Sequence, residues 1–333
     1  MAINIAVITG GEASEAGISL KSAGVIMKHL PRDRFTPYLI IIEGNNWRHS
    51  DSGELVNKND FSLVLNNQQI YFDAAFIAIH GTPAEDGLLQ GYFDLLKIPY
   101  SCCGVLSAAL TFDKQKCKTF LRASGVNSAN GFLLCNKDTD WRENQLFTQF
   151  INETPFPVFV KPNKNGSSYG ASKVDDISQL ESAIEKAFDF DSEILIEQYL
   201  QGTEVTCGLI SVNEELIVFP VTEIRSATGF FDYAAKYEGK SREITPAEIN
   251  ESLSLKIQHI SSNIYRQLGF KGMCRIDYII VQDTPYMLEV NAIPGLSEES
   301  IVPQQARAFG WSLAELFTHT MDEAIRTHKG HEA

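Results

Sequence analysis

Near the C-terminal end, two strand-like runs carry the most suggestive spacing in the chain, Arg275-Ile-Asp277 on the first and Glu289-Val-Asn291 on the second. Side chains two apart on a strand share a face, so Glu289 and Asn291 project together and a hairpin brings Asp277 alongside. Such oxygen donors suit Mg²⁺, which takes one or two carboxylates and fills its shell with water and phosphate oxygens. A solvated polar face is the ordinary alternative. Against it, Ile276, Ile279, Ile280, Leu288 and Val290 read as core, where isolated charge is costly; metal holding is the preferred reading.

A second group is Val158-Phe-Val-Lys161-Pro-Asn-Lys-Asn-Gly166-Ser167-Ser168-Tyr-Gly170. A lysine at the end of a strand, followed by a glycine and serine loop, offers a point charge with backbone N–H and hydroxyl donors for phosphate oxygens. Plain Gly-Ser turns are also common. The spacing is not that of a G-x-x-x-x-G-K-[ST] loop, and Gly10-Gly11 does not open a G-x-G-x-x-G turn. The third group, His80-Gly-Thr-Pro-Ala-Glu85-Asp86-Gly87, follows an apolar strand. Ligands bind at such strand ends in open α/β sheets, and Glu15, just after the first strand, falls at the same edge. A charged loop with Asp86 as a helix cap remains open beside that reading.

The elements that must position these groups follow from periodicity. Ile3 to Thr9, Tyr38 to Ile42 and Ala74 to Ile79 read as strands, Ser14 to Leu30 and Leu88 to Leu96 as helices. That alternation predicts an open α/β sheet. Pro99 and Gly104 bracket a boundary, after which one helix is expected over Val105 to Ala123. Phe156 to Val160 and Glu193 to Leu200 read as strands around a helix from Gln179 to Phe190. The last third holds strands at Val205 to Ser211, Leu216 to Val221, Cys274 to Val281 and Tyr286 to Val290. Helices are expected over Pro246 to Leu268, with proline at a start position, and over Leu313 to Ile325. The polar stretch from Arg225 to Thr245 is long for a connection and is expected to be a mobile lid that ligands order.

Composition bounds the rest. With 333 residues, the chain should hold two or three domains at about 150 residues each. Its 28 Lys and Arg against 42 Asp and Glu give a net charge of −14, a poor balance for binding nucleic acid or an anionic membrane. Six scattered cysteines without C-x-x-C spacing read as buried free thiols, and adjacent Cys102 and Cys103 as packing rather than a redox pair. The N-terminus lacks a basic segment before a long apolar run, and no run approaches the about 18 apolar residues of a membrane helix. A cytoplasmic protein is expected.

Taken together, the motifs resemble the D-alanine–D-alanine ligases of the ATP-grasp superfamily. The resemblance rests on Gly10-Gly11, Ser14-Glu15, Ser19-Leu20, His80-Gly81, Glu85-Asp86-Gly87, Gln90-Gly91, Ile98-Pro-Tyr and Asp113-Lys114. It continues through Val160-Lys161-Pro, Gly166-Ser-Ser, Asp232-Tyr, Ala235-Lys236-Tyr237, Arg275-Ile-Asp277, Leu288-Glu289-Val-Asn291 and Pro294-Gly295, in family order over nearly the whole chain. It implies an α/β ATP-grasp fold with an N-terminal open parallel-sheet unit (1–103) and two α+β modules (104–192 and 193–333) that clasp the nucleotide between them. It also implies an ATP-dependent ligation of two D-alanines through an acyl phosphate, for peptidoglycan.

By that resemblance Lys114, Lys161, Ser168 and Lys236 contact ATP phosphates, and Glu197, Leu200 and Glu204 the adenosine. Asp277, Glu289 and Asn291 hold Mg²⁺, with two ions expected and Mn²⁺ as a substitute. Arg275 and the Gly295 N–H steady the acyl phosphate and the tetrahedral intermediate. Glu15 holds the first D-alanine's ammonium, His80 lies nearby, and Ser167 and Tyr237 link with Glu15 to close the loop. Ser300 falls where the family binds the second carboxylate, although Glu298-Glu299 put extra negative charge beside it. Lys236-Tyr237 points to D-alanine as nucleophile, and a homodimer is implied by analogy. Two other readings stay open: an ATP-grasp ligase for another amino or hydroxy acid, and a catalytically silent nucleotide-binding module.

Overall fold

The computed structural model describes residues 2–11, 15–136, 141–226 and 241–329. Strand β1 (Ile3–Gly10) is an apolar run rich in β-branched residues; it pairs in parallel with β2 (Phe35–Glu43) and β6 (Ala74–Ile77). Both faces of β1 are buried, as a parallel strand requires. The expected parallel sheet gains an antiparallel edge, β3 (Asn46–His49), giving the order β3-β2-β1-β6, and a separate hairpin joins β4 (Ser62–Leu65) to β5 (Gln68–Tyr71). Helix α1 (Ala16–His29) lays Ser19, Ser22, Ala23 and Ile26 against the sheet, a helical stripe of small side chains that permits close approach. Where β1 leaves the sheet, Gly10 and Gly11 have φ of +103° and +96°. A Cβ on Gly10 would collide with the Ile42 carbonyl, so only glycine can turn the chain there. The turn delivers Glu15 to the first residue before α1.

The region after α2 (Leu88–Leu96) departs from the single helix expected over 105–123. It forms α3 (Val105–Phe112) and α4 (Lys114–Arg122), broken at Asp113. Asp113 has extended backbone, and its Oδ1 accepts the Lys116 N–H at 3.0 Å, so it caps a new helix instead of continuing the old one. The central sheet is antiparallel in the order β7 (Gly131–Cys135), β10 (Glu193–Gln198), β8 (Val158–Pro162), β9 (Ser172–Val174). Its β10 stops two residues short of the expected Leu200. Helices α5 (Gln145–Glu153) and α6 (Leu180–Phe188) cover one face through Phe147, Leu180 and Ile184 against Val158, Val160, Ile194 and Ile196. The alternation leaves Lys161 and Glu197 on the opposite face.

A six-stranded sheet completes the fold, in the order β14 (Ser241–Ile244), β13 (Thr222–Ser226), β11 (Thr203–Val212), β15 (Met273–Val281), β16 (Thr284–Asn291), with β12 (Glu215–Val218) also on β11. The two ends of the expected lid segment are thus paired strands; its remainder, 227–240, lies outside the described residues. The expected helix from Pro246 begins later, as α7 (Glu251–Gln267), because the Ala247 N–H bonds the Val221 carbonyl at 2.7 Å and Asn250 supplies the cap to Ser252. Helices α8 (Ile301–Phe309) and α9 (Leu313–Lys329) close the chain. One core cluster joins β1, α1 and α9 with residues of the large sheet, so the first and last sheets share apolar packing. Cys102 and Cys103 are buried and all six cysteines are free thiols, as the sequence implied.

Asp113 also accepts from Asn163 Nδ2 at 2.9 Å, which ties α4 to the loop after β8. Asp113→Ala should therefore lose a cap worth about 1 kcal/mol or more and lower the urea midpoint, whereas Asp113→Asn keeps the acceptor. An unchanged midpoint for the alanine variant would contradict this role.

Candidate active site

Two cavities meet along one wall. A cleft of about 420 Å³ between the central and large sheets is lined by Lys114, Lys161, Ser168, Glu197, Leu200, Glu204, Asp277 and Glu289. Beside it, a cavity of about 250 Å³ is lined by Glu15, His80, Glu85, Arg275, Asn291, Gly295 and Ser300. Gly166, Ser167 and Glu289 line both. A reacting group bound in one space can therefore face a group bound in the other across a few atoms.

The hairpin register builds part of the wall. Asp277 lies opposite Glu289 and Arg275 opposite Asn291, with a register shift between Asp277 and Tyr278. This is the juxtaposition expected from the spacing. Arg275 grips Asp277 through Nε and Nη2, each at 2.8 Å, and Thr206 Oγ1 donates to Asp277 Oδ1 at 2.5 Å. Asn291 Nδ2 donates to Asp277 at 2.9 Å, and an amide oxygen beside it is of the type that accepts from a donor or binds a cation. Lys114 Nζ lies 3.5 Å from Glu289 and donates to the Asn165 carbonyl at 2.6 Å, so one ammonium links the hairpin to the glycine and serine loop.

That loop is held in a conformation L residues seldom adopt, with φ of +48° at Ser167 and +57° at Ser168. In a tight turn, successive backbone N–H groups can line a concavity suited to anions. Ser167 Oγ donates to the Glu15 carboxylate, and a Cβ on Gly166 would overlap that carboxylate. The expected link between Glu15 and Ser167 is present; Lys236 and Tyr237 lie outside the described residues.

Burial sets the charge states. His80 is buried with Nε2 unpartnered, and desolvation, opposed by the Glu15 charge, holds it below the usual histidine range. Glu85 accepts the Gly81 N–H at 2.9 Å; burial, reinforced by Glu15, pushes its carboxyl up to about 8. Glu298 turns away from Ser300 to pair with Lys28 and His29, at 2.6 and 3.1 Å, so its charge is compensated. Ser300 Oγ contacts Ser297 Oγ at 2.7 Å at the start of α8. Glu197 is buried and ion-paired with Lys161 and with Lys118. Lys118 was not singled out by any motif, yet it occupies the stripe of α4 that Cys117 and Leu121 bury, and a lysine at such a position is a signal in itself. Among the described residues no three His, Cys, Asp or Glu side chains form a metal cage. Two cross-strand carboxylates with an amide oxygen still fit a hard cation that keeps water and phosphate ligands.

The family described as "D-ala D-ala ligase N-terminus" matches residues 4–103, and "D-ala D-ala ligase C-terminus" matches 120–322. A D-alanine–D-alanine ligase of Azobacteroides pseudotrichonymphae is 44% identical over 324 residues, 96% of this chain and 99% of that protein. Among solved structures, the VanG D-Ala:D-Ser ligase from Enterococcus faecalis superposes with a TM-score of 0.85 at 30% identity, over 97% of this chain and all 100% of that one. A Bacillus anthracis D-alanine–D-alanine ligase complexed with ATP gives 0.79 at 27% identity, over 99% of this chain and 100% of that one.

Because Glu85 keeps in the fold a proton that the unfolded chain releases in the usual carboxylate range, stability should fall as pH rises from that range to about 8. Glu85→Gln removes the titration. In metal-free thermal melts its advantage over the wild type should widen from pH 5 to pH 8; a constant or narrowing gap would contradict a protonated Glu85.

Proposed function

This chain belongs to the D-alanine–D-alanine ligase family, and from that premise we propose that it joins two D-alanines at the expense of ATP, making the dipeptide for peptidoglycan. The observation that carries the proposal is the shared wall: the larger cleft suits a nucleotide, the smaller one two amino acids, and both open onto Gly166, Ser167 and Glu289. A carboxylate oxygen of the first D-alanine attacks the γ-phosphorus, and the bond to the β-bridging oxygen breaks to leave ADP. The amine of the second D-alanine then attacks the acyl carbon, the carbon–oxygen bond to phosphate breaks, and the amine's proton is lost.

The roles combine the lining of the two cavities with what the family resemblance implies, the latter alone for Lys236 and Tyr237. Glu15, buried and held by Ser167, faces the first ammonium, with His80 beside it as a neutral ring. Lys114, Lys161 and the Ser168 backbone serve the phosphates, together with Lys236, while Leu200 and Glu204 line the adenosine end and Glu197 meets the base. Arg275 and the Gly295 N–H face the oxygen that gains charge as the acyl carbon becomes tetrahedral, Ser300 takes the second carboxylate, and Tyr237 completes the link to Ser167 and Glu15. Asp277, Glu289 and Asn291 would hold Mg²⁺, as two ions with Mn²⁺ able to replace them. Bound there, the metal supplies charge neutralisation for the transferring phosphoryl group.

The same reading divides the chain into units 1–103, 104–192 and 193–333, with nucleotide between the last two. It places the protein in the cytoplasm; no described helix is long and apolar enough to cross a membrane. A homodimer is supported by the exposed apolar side chains Leu88, Leu95, Val105 and Leu106 on α2 and α3, where Gly87 abuts Val105.

Mass spectrometry of the products from ATP, Mg²⁺ and equal D-alanine and D-serine tests the proposal. D-alanyl-D-alanine should dominate, with one ADP formed per peptide bond. A dominant D-alanyl-D-serine, as the VanG resemblance would allow, or ADP without peptide, would overturn it.

A further inference from the structure

The nucleotide cleft contains a charge balance that its lining residues do not complete by themselves. Glu197 is 3% exposed, at the end of β10, and Lys161 Nζ lies 2.8 Å from its Oε2. The closeness follows from the register: Lys161 pairs with Leu195 and Phe159 with Glu197, so the lysine and the carboxylate are diagonal neighbours on one face. If Lys161 turns to a phosphate, it withdraws a positive charge from a carboxylate that has almost no access to water. A buried carboxylate stripped of its partner is far costlier than the intact pair.

Lys118 resolves this. It is 1% exposed on α4, does not line the cleft, and its Nζ is ion-paired with the other oxygen of Glu197, Oε1. One carboxylate thus sits between two ammoniums, one in the wall of the cleft and one beneath it.

We propose that Lys118 is a positioning residue for nucleotide binding: as the permanent counter-ion of Glu197, it frees Lys161 to engage the nucleotide's phosphates. The inference rests on reading the larger cleft as the ATP site. Electrostatics agree with the geometry. Burial alone would raise Glu197, but the two lysines hold it down at about 2, so it stays ionised and needs a cation at every stage. Lys118 itself is drawn down to about 8 by burial, against the upward pull of Glu197.

The proposal separates phosphate-bearing from phosphate-free ligands. In Lys118→Met, Lys161 becomes the sole lysine partner of Glu197 and is withheld from phosphate, while the residues around the nucleoside, Glu197 included, keep their identity and Glu197 keeps a cationic partner. ADP and adenosine, each measured as a competitive inhibitor against ATP, should therefore diverge. The inhibition constant for ADP is expected to rise at least about tenfold and that for adenosine to change less than about twofold, a selectivity that follows from the charge balance. Equal weakening of both ligands would show a merely structural tie between α4 and β10 and overturn the proposal. A second comparison holds even if Lys118→Met does not fold. With Glu197→Gln there is no carboxylate to neutralise, so Lys118→Met/Glu197→Gln should bind ADP as Glu197→Gln does; a further loss in the double variant would overturn the inference. Failure of ADP to compete in the wild-type enzyme would overturn the reading of the cleft itself, a result visible before any variant is made.

Discussion

Charge can be gathered out of water only where every charged group has a partner, and that constraint governs how the parts of this protein meet. Asp277 is satisfied by Arg275, Thr206 and Asn291, Glu197 by Lys118 and Lys161, Glu289 faces Lys114, and Glu15 is held by Ser167. In three of these sets the partners come from different sheets, helices or loops. The site is therefore a network of paired charges, in which a group that gives up one partner needs another to remain out of water.

The fold brings these groups together by simple means. Parallel pairing brings the ends of β1 and β6 to one edge, from which Glu15 and His80 reach the smaller cavity. Antiparallel register sets Asp277 against Glu289. The first and last sheets share an apolar core, whereas the central sheet has its own, built from Leu134, Phe147, Val160, Ile184 and Ile196. Polar contacts consequently carry much of the connection at the cleft: Asp113 with Asn163, Lys114 with the Asn165 carbonyl, and Glu15 with Ser167. These are contacts that a bound nucleotide and amino acid can reinforce.

What the sequence revealed was whatever is local. The two-residue spacing of Glu289 and Asn291 and the glycine turn at Gly10 each express a backbone rule, and both appear in the structure where expected. Features decided by tertiary partners were harder to read. Asp113 looked like one more residue in a helical pattern, but its side chain has Asn163 to meet and breaks the helix there. Pro246 looked like a helix start, yet the neighbouring Ala247 N–H is taken by Val221 on the large sheet. Lys118 was the most costly omission: a lysine in a short amphipathic helix normally faces water, and only a carboxylate 79 residues away explains its burial. The assignments for Lys236 and Tyr237 rest on the family resemblance, since those residues lie outside the described part of the chain.

The central claim is that the wall between the two cavities lets a carboxylate in one attack a phosphoryl group in the other. The most direct measurement uses D-alanine with ¹⁸O in both carboxylate positions and follows the isotope into the inorganic phosphate released with the dipeptide. If an acyl phosphate forms and the second amine expels it, each phosphate carries one ¹⁸O atom from the amino acid. Phosphate without label, at a rate matching dipeptide formation, would show that the carboxylate never attacks phosphorus and would contradict the account.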